Sequence, residues 1–141
     1  MAELLVSYVV KSHHGKPYGQ RIFVDGQAEA YRVSKLVKGD DGSYKDEPVS
    51  PGWYPAVRLN ADQVKTIEQA VAASGLRDLP SQVQGDTKRS TANREAQWEV
   101  MTADGIKTIA IVPWPPGGDT GQALFDLSRR LGEIVNEALS S

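Results

Sequence analysis

The stretch that decides the fold runs from Asn60 to Pro80 and reads NADQVKTIEQAVAASGLRDLP. Asn60 is a favourable N-cap residue, and Gln63, three positions later, completes the pattern of a capping box. Gly75 supplies the left-handed conformation with which helices often end, and Pro80 prevents the helix from continuing. Apolar residues recur between these ends at helical spacing, namely Val64, Ile67, Ala70 and Val71. The pattern predicts an amphipathic helix that begins after Asn60 and ends at Gly75.

Strand patterns lie on both sides of this helix. Upstream, β-rich apolar runs occupy residues 3–10, 20–24, 28–37 and 53–59. The dipeptide Asp25-Gly26 separates two of these runs and is a strong hairpin signal. Pro55 cannot donate a hydrogen bond to a neighbouring strand, so the run at 53–59 is expected at a sheet edge or at a strand start.

The C-terminal half repeats the plan of strands followed by a helix. Ala96, Trp98 and Val100 alternate with polar residues, and residues 106–112 return after a turn at residues 103–105. A second apolar stripe comprises Leu124, Leu127, Leu131, Ile134, Val135 and Ala138. The sequence therefore predicts one α+β domain over residues 1–141, with an antiparallel sheet of about five strands and two helices on one face. Residues 38–52 are polar and rich in proline and glycine, which predicts a mobile loop.

Composition restricts the possible functions. The chain has no cysteine, so it can form neither a disulfide nor a thiolate metal site. The 16 basic and 18 acidic residues give a net charge of −2, which argues against general nucleic-acid binding. No apolar run reaches the roughly 20 residues of a membrane span, and the N-terminus lacks the pattern of a signal peptide. We expect no membrane association and a cytoplasmic location, unless a leader has already been removed.

Few residues point to catalysis. His13 and His14 are the two histidines, and neighbouring strand residues point to opposite faces, so they are poor partners for one metal ion. The acidic residues of 38–52 do not follow the spacing of a calcium-binding loop. Residues 117–121 precede a helix but lack the lysine of a phosphate-binding loop. We therefore expect no metal site, no cofactor and no enzymatic activity, with a small hydrolase using His13 or His14 as a weaker alternative.

Aromatic residues near turns and prolines are better candidates for binding a partner. Trp114 lies in the stiff segment Pro113–Pro116, and Trp53 and Tyr54 follow the acidic stretch. Tryptophan is frequent at interface hot spots, although each of these rings is also a candidate for the core. The candidate partner-binding residues are His13, His14, Tyr18, Trp53, Tyr54 and Trp114.

The stretch from Leu59 to the C-terminus resembles the emfourin-like family of small bacterial proteins, which includes inhibitors of protealysin-type and thermolysin-type metalloproteases. The resemblance rests on Leu59, Gln63, Ile67, Val71, the segment Ser74–Pro80, the strand residues Trp98–Val100 and Thr108–Ile111, and Leu124, Leu127 and Leu131. These are core and capping positions, so the resemblance implies the fold first. It also implies a protein partner, with an M4-type metalloprotease as the candidate.

Two hypotheses of different classes follow. The first is a non-enzymatic protein-binding domain, with protease inhibition by a loop at His13–Tyr18 or a sheet edge at Trp53–Leu59 that enters a cleft. The second is an accessory or structural subunit of a larger assembly. Self-association through the exposed sheet face would favour the second, and a strictly monomeric protein would count against it.

Overall fold

The computed structural model describes residues 3–12, 15–84 and 94–140. Seven strands and two helices follow one another in this part of the chain. They are β1 (Leu4–Ser12), β2 (Tyr18–Phe23), β3 (Gln27–Lys38), β4 (Tyr44–Arg58), α1 (Ala61–Ser74), β5 (Gln82–Gln84), β6 (Arg94–Thr102), β7 (Gly105–Val112) and α2 (Gly118–Ser140), with a 3-10 turn at Leu76–Asp78 after α1. The α+β class is confirmed.

The strands form one sheet in the order β4-β3-β2-β1-β6-β7-β5. Neighbouring strands are antiparallel except β5, which runs parallel to β7. The described sheet is thus mixed and has seven strands, which corrects the expected antiparallel sheet of about five. Sequence patterns missed β5 because it has only three residues, and its place depends on backbone pairing with β7 rather than on an apolar repeat of its own.

The predicted start and end of α1 are confirmed. The Asn60 side chain accepts a hydrogen bond from the Gln63 backbone N–H at 2.8 Å, and the Gln63 side chain accepts from the Asn60 N–H at 2.9 Å. Gly75 follows the helix in the left-handed conformation, with φ of 77°. Val64, Ile67 and Val71 are buried, so the predicted stripe is the face that packs on the core.

One hydrophobic cluster joins both helices to the sheet. From the helices it includes Ile67 and Val71 of α1 and the leucine stripe of α2; from the sheet it includes the alternating residues of β6 and β7. In β6, for example, Ala96, Trp98 and Val100 are buried. Since alternate residues of a strand point to one side, the helices cover a single face of the sheet. We call the opposite side the open face.

The expected loop at 38–52 is wrong for most of its length. β3 continues to Lys38, and β4 begins at Tyr44, so only a short turn separates two long paired strands. The turn is stabilised by Asp41, whose carboxylate accepts hydrogen bonds from the Ser43 backbone N–H at 3.0 Å and hydroxyl at 2.6 Å. These bonds lower the pKa of Asp41. The prolines that suggested a loop, Pro48 and Pro51, lie on an edge strand, where a missing N–H is tolerated.

Candidate functional site

The structure separates the predicted partner-binding residues into different environments. His13 and His14 lie outside the described residues. Trp114 is only 4% exposed, and its ring lies 5.8 Å from the ring of Trp98 in the core. This burial favours the core alternative for Trp114, because a partner cannot reach a ring that the fold already covers.

Tyr18 and Tyr54 do not belong to the same surface as Trp53. Trp53 and Tyr54 are successive residues of β4, so their side chains point to opposite faces. The Tyr54 hydroxyl donates a hydrogen bond to the Ser50 carbonyl at 2.7 Å. Tyr18 is 49% exposed and lies at the start of β2, on the face that also carries Tyr8. The four candidates that the structure describes therefore do not form one site.

Trp53 instead belongs to a cluster on the open face that spans three neighbouring strands. Strand register places Tyr31 of β3 directly opposite Trp53 of β4, and Arg21 of β2 directly opposite Glu29 of β3. Phe23 lies two positions after Arg21 on the same side of β2. We call the five residues Arg21, Phe23, Glu29, Tyr31 and Trp53 the Arg21 cluster.

The guanidinium of Arg21 holds this cluster together. Its Nε donates a hydrogen bond to Glu29 Oε1 at 2.7 Å, and Nη2 donates to the same oxygen. The guanidinium carbon also lies 4.7 Å from the ring centre of Trp53 and 5.2 Å from that of Phe23. Arginine above an aromatic face is attracted by the ring quadrupole, so the charge and the rings stabilise one another.

The aromatic rings of the cluster are fixed but remain accessible. Tyr31 meets Trp53 edge to face, with ring centres 5.4 Å apart and an angle of 84°. Both rings are half-buried. The Arg21 and Glu29 side chains are 29% and 16% exposed, so their ion pair is partly removed from water. The cluster therefore presents ordered aromatic surface with its charges already neutralised, which suits contact with another protein better than chemistry on a substrate.

Sequence reasoning selected Trp53 but missed Arg21 and Glu29. The Asp25-Gly26 dipeptide predicts the hairpin but not its register: three residues, 24–26, connect β2 to β3 and place position 21 opposite 29, whereas a two-residue turn at 25–26 would place it opposite 30. What the local pattern did not give was the pairing of β3 with β4. That second pairing brings Trp53 to the same place.

Other surfaces of the described chain have fewer features of a binding or catalytic site. A shallow groove of about 450 Å³ between α1 and α2 is lined by small residues and by charged side chains of α2. Those charges pair with each other, since Arg129 lies 3.5 Å from Asp126 and 3.7 Å from Glu133. Within residues 3–12, 15–84 and 94–140, no group of three His, Cys, Asp or Glu side chains is placed to hold a metal ion. No helix of that part is long and apolar enough to cross a membrane.

Comparison with known proteins gives no relative: no protein-family model matches the chain, and no curated protein matches it. Function is therefore inferred from the surface chemistry of the open face, together with the resemblance described above.

Proposed function

We propose that the chain is a non-enzymatic protein-binding domain that contacts its partner through the Arg21 cluster on the open face. The observation that carries this proposal is the position of Trp53, whose half-buried ring contacts both the guanidinium of Arg21 and, edge to face, the ring of Tyr31. Tryptophan, tyrosine and arginine are the residues most enriched at interface hot spots. Here all three occupy one accessible patch.

The fixed geometry of the Arg21 cluster also supports a binding role, in addition to its residue composition. A side chain that is already fixed loses little conformational freedom when a partner docks, and this raises affinity. The ion pair of Arg21 with Glu29 satisfies both charges before binding, so docking does not bury an unpaired charge. Groups with shifted pKa elsewhere have structural causes: burial at Tyr8 and the turn hydrogen bonds at Asp41.

The partner class that we propose is an M4-type metalloprotease, as the resemblance implies. Inhibition would occur by occlusion, with the open face beside the edge strand β4 placed across the cleft of the enzyme. Residues 53–58 of this edge belong to β4, the outermost strand on that side, and Leu59 follows the strand directly. Trp53 thus lies both in the ordered cluster and at the accessible margin of the sheet.

The first experiment is inhibition of thermolysin by the purified chain, with cleavage of the chain followed in parallel. If inhibition occurs, Trp53→Ala is expected to weaken it by tenfold or more, as for a hot-spot residue. Phe125→Ala is the matched control, because Phe125 is an aromatic residue of α2 that is 46% exposed and lies outside the cluster. Thermal melting of both variants establishes that they are folded.

Absence of thermolysin inhibition would remove the protease part of the proposal. The binding part is then tested by comparing what immobilised wild-type, Trp53→Ala and Phe125→Ala chains retain from the producing cell. A protein retained by wild type and Phe125→Ala but lost with Trp53→Ala would identify the partner. Equal retention by all three would contradict a role for the Arg21 cluster.

A further inference from the structure

The long hairpin of β3 and β4 extends beyond the rest of the sheet. β2 pairs with β3 as far as the register Gly19–Tyr31, whereas β3 and β4 stay paired from Ser34 with Pro48 to Lys38 with Tyr44. We call residues 34–48 the arm. A two-stranded ribbon on its own is marginally stable in water, so contacts beyond its own pairing would help to keep it formed.

One face of the arm carries the exposed side chains of Leu36 and Tyr44 beside Lys38 at its outer end, and it is anchored at its base. Leu36 and Tyr44 are 64% and 60% exposed. Strand register places both on the same face as Asp46. At the base, the Lys16 ammonium donates hydrogen bonds to Ser34 Oγ at 3.0 Å and to Asp46 Oδ2 at 3.1 Å. Lys16 therefore ties the arm to the segment before β2 and neutralises Asp46.

The outer edge of β4 in the arm offers unpaired backbone groups. β4 has β3 on one side and no strand on the other in the described sheet. Proline on an edge strand turns its nitrogen away from the ladder, so Pro48 faces outward. Because backbone direction alternates along a strand, Asp46 and Tyr44 also turn their N–H groups outward. Lys45 and Glu47 then face inward to their partners on β3.

We propose that this edge pairs with the same edge of a second copy of the chain, antiparallel about a two-fold axis at Asp46. In that register Asp46 N–H meets the Asp46 carbonyl of the second copy, and Tyr44 N–H meets the Pro48 carbonyl. Pro48 has no N–H to donate to the Tyr44 carbonyl of the second copy, so this register leaves that one carbonyl of each copy without a partner on the facing strand. Every outward N–H of the segment nevertheless finds an acceptor.

Side-chain charge selects the same register. Lys45 of each copy lies directly opposite Glu47 of the other, which gives two favourable cross-strand pairs on one face. A parallel alignment would instead oppose Lys45 with Lys45 and Glu47 with Glu47. On the other face Tyr44 lies against Pro48 of the second copy, beside Leu36. The like-charged Asp46 residues at the axis are each already paired with Lys16.

The fold also limits the association to a dimer. Pro51 and Pro55 interrupt the donors along the rest of the β4 edge. The opposite edge of the described sheet is β5, which has only three residues. A two-fold contact through one edge of each copy is closed and does not propagate into a fibre. This inference is independent of the Arg21 cluster, which lies on the open face away from the arm edge.

Sedimentation equilibrium of the full chain, from low micromolar to near-millimolar concentration, tests the proposal. Wild type is expected to dimerise reversibly. Lys45→Glu and Glu47→Lys should each weaken the dimer by about tenfold, because each replaces two attractive cross-strand pairs with two repulsive ones. The double variant Lys45→Glu/Glu47→Lys restores opposite charges and should regain most of the wild-type affinity. Lys65→Glu, at an exposed position of α1, controls for the change in net charge.

The outcomes separate clearly. Loss in both single variants with recovery in the double variant supports the arm register. A wild type that stays monomeric at the highest concentration overturns the proposal, as does a dimer that the single variants leave unchanged. A dimer that is lost with Trp53→Ala but kept with Lys45→Glu would place self-association on the open face instead and would also overturn it. Circular dichroism of each variant establishes that it is folded.

Discussion

The ring of Trp98 on β6 stacks on the ring of Tyr8 on β1, with centres 4.8 Å apart and an angle of 26° between the planes. The two residues are directly opposite in the strand register. Trp98 is fully buried, and its Nε1 has no hydrogen-bond partner in the described structure. The Tyr8 hydroxyl donates to Gln20 Oε1 at 3.4 Å, a long bond. The centre of the core is therefore well packed but leaves one indole N–H unsatisfied.

Substitution of Trp98 compares the stability that its packing contributes with the stability that its unsatisfied N–H costs. Trp98→Ala should lower the free energy of unfolding by about 3–5 kcal/mol, because it opens a large cavity. Trp98→Phe should cost clearly less, since it keeps ring stacking on Tyr8 and removes a buried donor that itself costs about 1–3 kcal/mol. Urea denaturation gives both values. Equal losses for the two variants would contradict the contribution assigned to the N–H.

Trp114→Ala is expected to destabilise the fold rather than to affect binding alone. The ring is 4% exposed and packs near Trp98, so its removal should cost about 3–5 kcal/mol. Trp53→Ala, at a half-buried position on the open face, is the matched comparison and should cost much less. Thermal melting of the two variants measures this difference in stability. A Trp114→Ala melting temperature close to that of Trp53→Ala would show that Trp114 contributes little to the core.

The ionisation of the buried Tyr8 side chain is expected to lower the stability of the fold at alkaline pH. Burial, with a smaller effect of Tyr18, raises the pKa of Tyr8 from 10.0 to about 12. The folded state therefore holds this proton more tightly than the unfolded chain does. Stability from this group is complete below pH 10 and is lost as the pH rises through about 12, by about 2–3 kcal/mol in total.

Tyr8→Phe isolates this effect from the ionisation of lysines and other tyrosines. Urea denaturation at several values between pH 8 and 12 should show a steeper decline for wild type than for Tyr8→Phe. Parallel declines would mean that Tyr8 titrates in the folded protein as it does in the unfolded chain.

Gly26 is required by its conformation and by a close contact. Its φ is +99°, and a Cβ there would lie 2.3 Å from the carbonyl oxygen of Leu59, just before α1. Gly42 also has a positive φ, of +85°, but a Cβ there meets nothing within 4 Å. Gly42→Ala should therefore cost about 1–2 kcal/mol for the left-handed conformation alone, and Gly26→Ala distinctly more. Chemical denaturation of both variants measures the difference, and equal losses would contradict the steric part.

Patterns read along the sequence succeeded where the structure depends on near neighbours. The cap at Asn60, the left-handed Gly75 and the hairpin at Asp25-Gly26 each involve residues only a few positions apart. The hairpin turn at Asp41-Gly42 carries the same dipeptide, although the composition of residues 38–52 predicts a loop. Pro48 and Pro51 favour a loop when the sequence is considered alone. Their position on an edge strand follows only from the order of the strands in the sheet.

The sequence by itself determined the α+β class, the limits of α1, the positions of β1, β2, β3, β6 and β7, and the edge location suggested by Pro55. Tertiary structure alone decided that Trp114 is in the core while Trp53 is accessible, and that Arg21 links Glu29 to the rings of Phe23 and Trp53. The physical reason is how far apart along the chain the interacting residues lie. Capping and turn formation are set by hydrogen bonds between residues close along the chain, whereas burial and clustering are set by which distant strands become neighbours in the sheet.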